Sequence, residues 1–131
     1  MSRLAGPPRQ LTAPERDLLL HLLQNTAGAS RLVGEPSGRL VQEMQDGGMR
    51  SLQFHSNRPE RRFGSIVAEG NFHDSDGTLV SVAVIIDTEG QIYELDIWKV
   101  DFSALIGIPA TAKIRVRPFG STGIADSRSP G

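Results

Sequence analysis

Glu69 and Asp96 are the two carboxylates whose type and spacing could support acid–base chemistry. Each lies in a run that alternates apolar and polar residues, Glu69 within residues 63–73 and Asp96 within 91–100. A general acid and base need two carboxyls whose surroundings push their pKa values apart. If both runs are strands flanking a third, two strand spacings separate the carboxylates, roughly 10 Å. That is a little wide for a pair gripping one water, and two acids on a solvated sheet face need no reaction to explain them. No catalytic residue is assigned on this ground.

Other constellations fail on spacing. Asp74-Ser75-Asp76-Gly77 opens like a calcium loop, but the twelfth position is Ile85 where that loop needs Glu, so it reads as a turn. His21, His55 and His73 are scattered and there is no Cys, which leaves no metal-ligand pattern. Glycine-rich phosphate loops, nucleophile elbows and zinc motifs are absent from the sequence. Arg58, Arg61 and Arg62 sit together in a polar stretch, where a phosphate contact competes with simple solvation. The expectation is a protein with no metal and no cofactor.

The stretch from Tyr93 to Phe102 points to binding rather than catalysis. It holds the single Trp, Trp98, among Glu94, Asp96 and Asp101. Interfaces favour Trp at their centres. The alternation slips after Trp98, because Val100 and Phe102 share the parity of Glu94 and Asp96 yet are apolar. A bulge near Trp98-Lys99 would return Val100 and Phe102 to the core and leave Lys99 and Asp101 outside. The alternative is that the strand ends there and the chain turns away.

The elements that must position these residues follow from local pattern. Thr12 and Glu15 form a capping box with Pro14 in the first turn, and Leu11, Leu18, Leu19, Leu22 and Leu23 recur at helical spacing. Two short strands, 39–44 and 49–55, flank Asp46-Gly47, a hairpin signal. Three further strands cover 63–73, 78–87 and 91–100. Keeping apolar sets on one face fixes their register, since a slip of one residue flips every side chain. Phe72 must oppose Val80, and Ile86 must oppose Tyr93. The core face then holds Ile66, Ala68, Gly70, Val82, Val84, Tyr93, Leu95 and Ile97. The other face holds Glu69, Asn71, Ser81, Glu94, Asp96 and Trp98, with small residues at its middle. With Asp101, these are the expected binding residues.

Length and charge bound the class. The chain has 131 residues with net charge -1, enough for one domain with its own core. The expected organisation is a flexible arm at 1–10, a single α+β domain at 11–109, and a largely disordered tail at 110–131. Charge is uneven: residues 1–62 carry +3, 63–110 carry -7 and 111–131 carry +3. An acidic sheet argues against nucleic acid and leaves a basic protein partner open. No apolar run approaches the roughly 18 residues of a membrane span, so neither a membrane nor nucleic acid is expected as partner, and the expected location is cytoplasmic.

Four stretches together carry a resemblance: Leu11-Thr12-Ala13-Pro14-Glu15, Asp46-Gly47-Gly48-Met49-Arg50-Ser51-Leu52, Arg62-Phe63-Gly64, and Glu94 through Phe102. Over about residues 11–108 the chain resembles a family of small uncharacterised bacterial proteins. That resemblance implies no catalytic residues; by association it implies a likeness to immunity proteins against secreted toxins. The expected fold is α+β, an N-terminal helix packed on a five-stranded, mostly antiparallel, curved sheet, similar to cystatin-like and nuclear transport factor-like architectures. The expected function is a non-enzymatic protein-binding module using the acidic, Trp-bearing face. A small-ligand or hydrolytic pocket on that face, or a homodimer interface, is the alternative.

Overall fold

Period-two patterning and turn chemistry build the central strands, while pairing with neighbours recruits two more. The computed structural model describes residues 4–58 and 60–117. In chain order these form β1 (Leu4–Arg9), α1 (Ala13–Gln24), α2 (Ala29–Val33), β2 (Val41–Met44), β3 (Leu52–Phe54), β4 (Phe63–His73), β5 (Leu79–Asp87), β6 (Ile92–Lys99) and β7 (Arg115–Val116). The strands make one antiparallel sheet ordered β1-β2-β3-β6-β5-β4-β7. Both helices contribute side chains to the core on one of its faces. Among the described residues no helix is long and apolar enough to cross a membrane.

The α+β class and the antiparallel pairing agree with the sequence reading; the count of five strands does not. Leu4–Arg9, expected as a flexible arm, pairs with β2. Arg115–Val116, expected within the tail, pairs with β4. Neither segment alternates, because an edge strand is held by a neighbour's backbone rather than by its own buried face. Pro7 and Pro8 suit such an edge, where a missing N–H costs nothing. Residues 118–131, most of the expected disordered tail, lie outside the described residues.

The helix start behaves as its residues dictate. Thr12 Oγ1 accepts from the Glu15 amide at 3.3 Å, and Glu15 Oε1 accepts from the Thr12 amide at 2.8 Å. Arg9 donates to both Glu15 carboxylate oxygens at 2.9 Å, tying α1 to β1. Leu18, Leu19, Leu22 and Leu23 are all buried against Val80, Val82, Val84, Leu95 and Ile97. Each buried Leu contributes about 1.5–3 kcal/mol relative to exposure.

Register in the meander matches parity at its centre and departs from it at one end. Phe72 opposes Val80, Gly70 opposes Val82, and Val82 and Val84 oppose Ile97 and Leu95. Towards the Asp87 turn both ladders bulge. Ile66 opposes Ile85, so Val67 is buried and Ile66 is exposed, the reverse of the expectation. Ile86 opposes Ile92 rather than Tyr93, and Ile92 enters the core. A Cβ at Gly64 would strike the carbonyl of Asp87, so that corner is built on a backbone approach that parity cannot anticipate.

The bulge expected at Trp98-Lys99 is absent. Ser81 opposes Trp98 and Val80 opposes Lys99 without a register shift. Lys99 therefore keeps the parity of Leu95 and Ile97 and is only 1% exposed, where an outward position was expected. Its ammonium donates to Asp74 at 2.9 Å, Asp76 at 2.7 Å and the Ala104 carbonyl at 3.1 Å. A buried charge is tolerated when its donors are satisfied, and the acidic turn supplies the acceptors. The strand then ends, and Val100 and Phe102 stay outside.

Candidate binding face and cleft

The face opposite the helices carries Glu94, Asp96 and Trp98 of β6, Ser81 and Ala83 of β5, and Glu69 and Asn71 of β4. Cross-strand pairs Asp96–Ala83, Ala83–Glu69, Trp98–Ser81 and Ser81–Asn71 align them in rows. Because Ala83 and Ser81 are small, the middle of the rows is hollow. A cleft of about 280 Å³ lies there, lined by Glu69, Asn71, Ser81, Ala83, Asp96, Trp98 and Arg117, among others.

Five of the expected binding residues thus share one cleft: Glu69, Asn71, Ser81, Asp96 and Trp98. Glu94 lies on the same face but outside the cleft's lining, opposite Gln53 and Ile85. Asp101 sits in the turn after β6, where its carboxylate accepts from the Ser103 amide at 3.0 Å and hydroxyl at 2.6 Å. Arg117 was missed because it belongs to the segment expected as tail. It donates to Glu69 at 2.8 Å, while its amide donates to the Glu69 carbonyl.

Electrostatics divide the two cleft carboxylates. Glu69 has a cation beside it. Asp96 has none among the described residues; its one polar contact is Ser51 Oγ at 3.3 Å. That hydroxyl also lies 3.0 Å from the Ile97 carbonyl, and one proton must serve both acceptors. Asp96 stays exposed to solvent along β6, yet desolvation by its surroundings pushes its carboxyl up, Ser51 opposes this, and Asp46 adds to it; the net shift is upward. Burial and the Asp96 charge likewise raise Glu94, against a lowering pull from Arg61.

Next to the cleft lies an apolar patch, which plain parity places on this face and from which the expected bulge would have removed Val100 and Phe102. Trp98 is 48% exposed, Val100 42%, Leu79 37% and Phe102 69%. The Trp98 and Phe102 rings are 6.1 Å apart and tilted by 47°. The Val100 amide donates to the Leu79 carbonyl, which keeps that pair together. Phe102 holds φ at 65°, a left-handed backbone that bulky residues adopt at a cost.

At the far end of the same face Arg61 lies 4.7 Å over the Tyr93 ring. Its Nε donates to the buried Asp87 at 2.9 Å, and Arg58 pairs with that carboxylate too. The arginines of the polar loop are therefore partly internal ties, not only a solvated group. Tyr93, expected in the core, is the extra residue of the β6 bulge. It shares a hollow with Gln42, Gln53 and His55.

Among the described residues no group of three or more His, Asp or Glu is arranged to hold a metal ion. The acidic turn at Asp74 instead receives Lys99 and the amides of Ser75, Ile106 and Gly107.

No curated protein and no solved structure matches the chain. The family model described as Domain of unknown function (DUF6984) matches residues 8–109, which hold both helices, β2 to β6 and most of the cleft, while β7, Arg117 and most of β1 lie outside that span. The chain belongs to that family, one without an established function.

Proposed function

We propose that this chain is a non-enzymatic protein-binding module whose acidic, Trp-bearing sheet face engages a basic partner protein. The observation that carries the reading is Phe102. A bulky side chain is held at φ 65° and 69% exposed, with its ring against Trp98. Strain of this kind runs to about 1–3 kcal/mol, persists only where the surrounding structure holds it, and clusters at functional sites. An exposed aromatic pair rimmed by polar residues is the chemistry of an interface centre. The net charge of -7 over residues 63–110 selects for a basic partner and steers its approach. In its specific form this is a bacterial, cytoplasmic immunity-type protein that covers a basic toxin; the small acidic domain supports that form.

The test is affinity capture from the native cell with the wild type, Trp98→Ala/Phe102→Ala, and Gln24→Ala on the opposite face, each identified by mass spectrometry. A partner held by the wild type and Gln24→Ala, and reduced at least about tenfold by the double variant, supports the reading. Equal recovery by all three overturns it. A wild-type dimer in sedimentation that the double variant dissociates would replace it with a homodimer interface.

A further inference from the structure

We infer that the cleft beside Trp98 is a seat for the guanidinium of an arginine presented by the partner protein, with Asp96 as counter-ion and the indole as wall. This rests on the protein-binding reading above and names the side chain that the cleft receives. Three observations converge on it. First, the cleft holds polar groups with capacity to spare. Among the described residues the side chains of Asn71 and Ser81 make no hydrogen bond, and Asp96 shares one distant hydroxyl. Second, these groups can all accept, and an arginine offers five N–H donors in a planar fork. Third, the protein already places one of its own guanidinium groups on this cleft: Arg117 pairs with Glu69 at 2.8 Å. That pair neutralises Glu69 and leaves Asp96 as the carboxylate with no cation beside it among the described residues.

Trp98 supplies the remaining selectivity. A cation over an indole face gains most among the aromatic rings, and a guanidinium can also stack on it. The apolar patch of Leu79, Val100 and Phe102 adjoins this wall, so residues flanking the partner's arginine would be apolar. A free small cation would use the cleft but not the patch.

Trp98 is the only Trp in the chain, so its fluorescence reports the cleft directly. The probes are N-acetyl-arginine amide, its uncharged citrulline counterpart, and a peptide with one arginine between two leucines. We expect saturable emission changes with the arginine amide, at least about tenfold weaker response with citrulline, and at least about tenfold tighter binding of the peptide. Asp96→Asn should weaken the arginine probes at least fivefold while leaving the fold intact by circular dichroism. Equal affinity for arginine and citrulline, or no effect of Asp96→Asn, overturns the inference. A peptide no tighter than the amide also overturns it, since it would assign the seat to a free small cation. Failure here with capture still sensitive to Trp98→Ala/Phe102→Ala would leave the protein-binding reading standing.

Discussion

Single side chains in this protein are held in states that cost stability, and the costs fall on one face. The half-buried Glu94 and the more exposed Asp96 both have raised carboxyl pKa values, first through desolvation. A raised folded-state pKa means that ionisation opposes folding, and that the opposition fades as pH falls below the folded value and is absent below the unfolded one. Asp96→Asn should therefore raise the melting temperature at neutral pH. The gain should shrink as pH falls below the raised Asp96 pKa and be gone in melts recorded below the ordinary carboxylate range. Asp74 and Asp87 behave in the opposite sense. Burial acts to raise both, but backbone amides with Lys99 at Asp74, and with Arg61 at Asp87, hold them below the ordinary carboxylate range. Their stabilisation is present above that range and is lost as pH falls through the depressed values. Acid melts should show Asp74→Asn flattening this loss, together with a lower melting temperature at neutral pH. Phe102 adds a third residue-scale test. Phe102→Gly should stabilise the fold by about 1 kcal/mol by releasing the left-handed backbone, while partner capture declines. Loss of stability in chemical denaturation would show that the ring supports the fold instead.

Elements place these residues through contacts made far apart in the chain. α1 lies against the sheet because Gly70 and Ala68 are small. A Cβ at Gly70 would approach Leu22 Cδ2 at 2.8 Å and collide with the Arg115 carbonyl. Leu22→Ala should cost about 2–5 kcal/mol in urea denaturation, as a buried Leu in a packed core does. Gly70→Ala should act on a different element. It should push β7 off β4, expose the amides of that pairing to hydrogen exchange, and withdraw Arg117 from Glu69. The loop from Val100 to Gly107 is anchored similarly, by Asp74 accepting from the amides of Ile106 and Gly107. The helix was legible from its Leu spacing and capping box, and the meander from alternation and turn residues. The edge strands were not, since Leu4–Arg9 and Arg115–Val116 have no pattern of their own.

For the whole molecule, a near-neutral net charge hides an acidic centre between weakly basic ends. Association through the sheet face should therefore slow as salt rises, with the dissociation rate changing less; stopped-flow or surface measurements with a captured partner would check this. An unchanged association rate between low and high salt would remove electrostatic steering from the account. The amino-acid sequence by itself determined the α+β class, the central register and the shared face of Glu69, Asn71, Ser81, Asp96 and Trp98. These follow from periodicity, which is local and fixes which side of a strand each residue takes. Tertiary structure decided the rest. It took Lys99 inward because Asp74 and Asp76 were there to receive its charge, and so ended the strand with Val100 and Phe102 outside. It brought Arg117 to Glu69 across 48 positions of chain. It displaced Ile66 and Tyr93 through bulges set by a close approach at Asp87. Charge pairing and backbone contact between distant segments leave no period in a sequence, and those contacts shaped the cleft and its apolar rim.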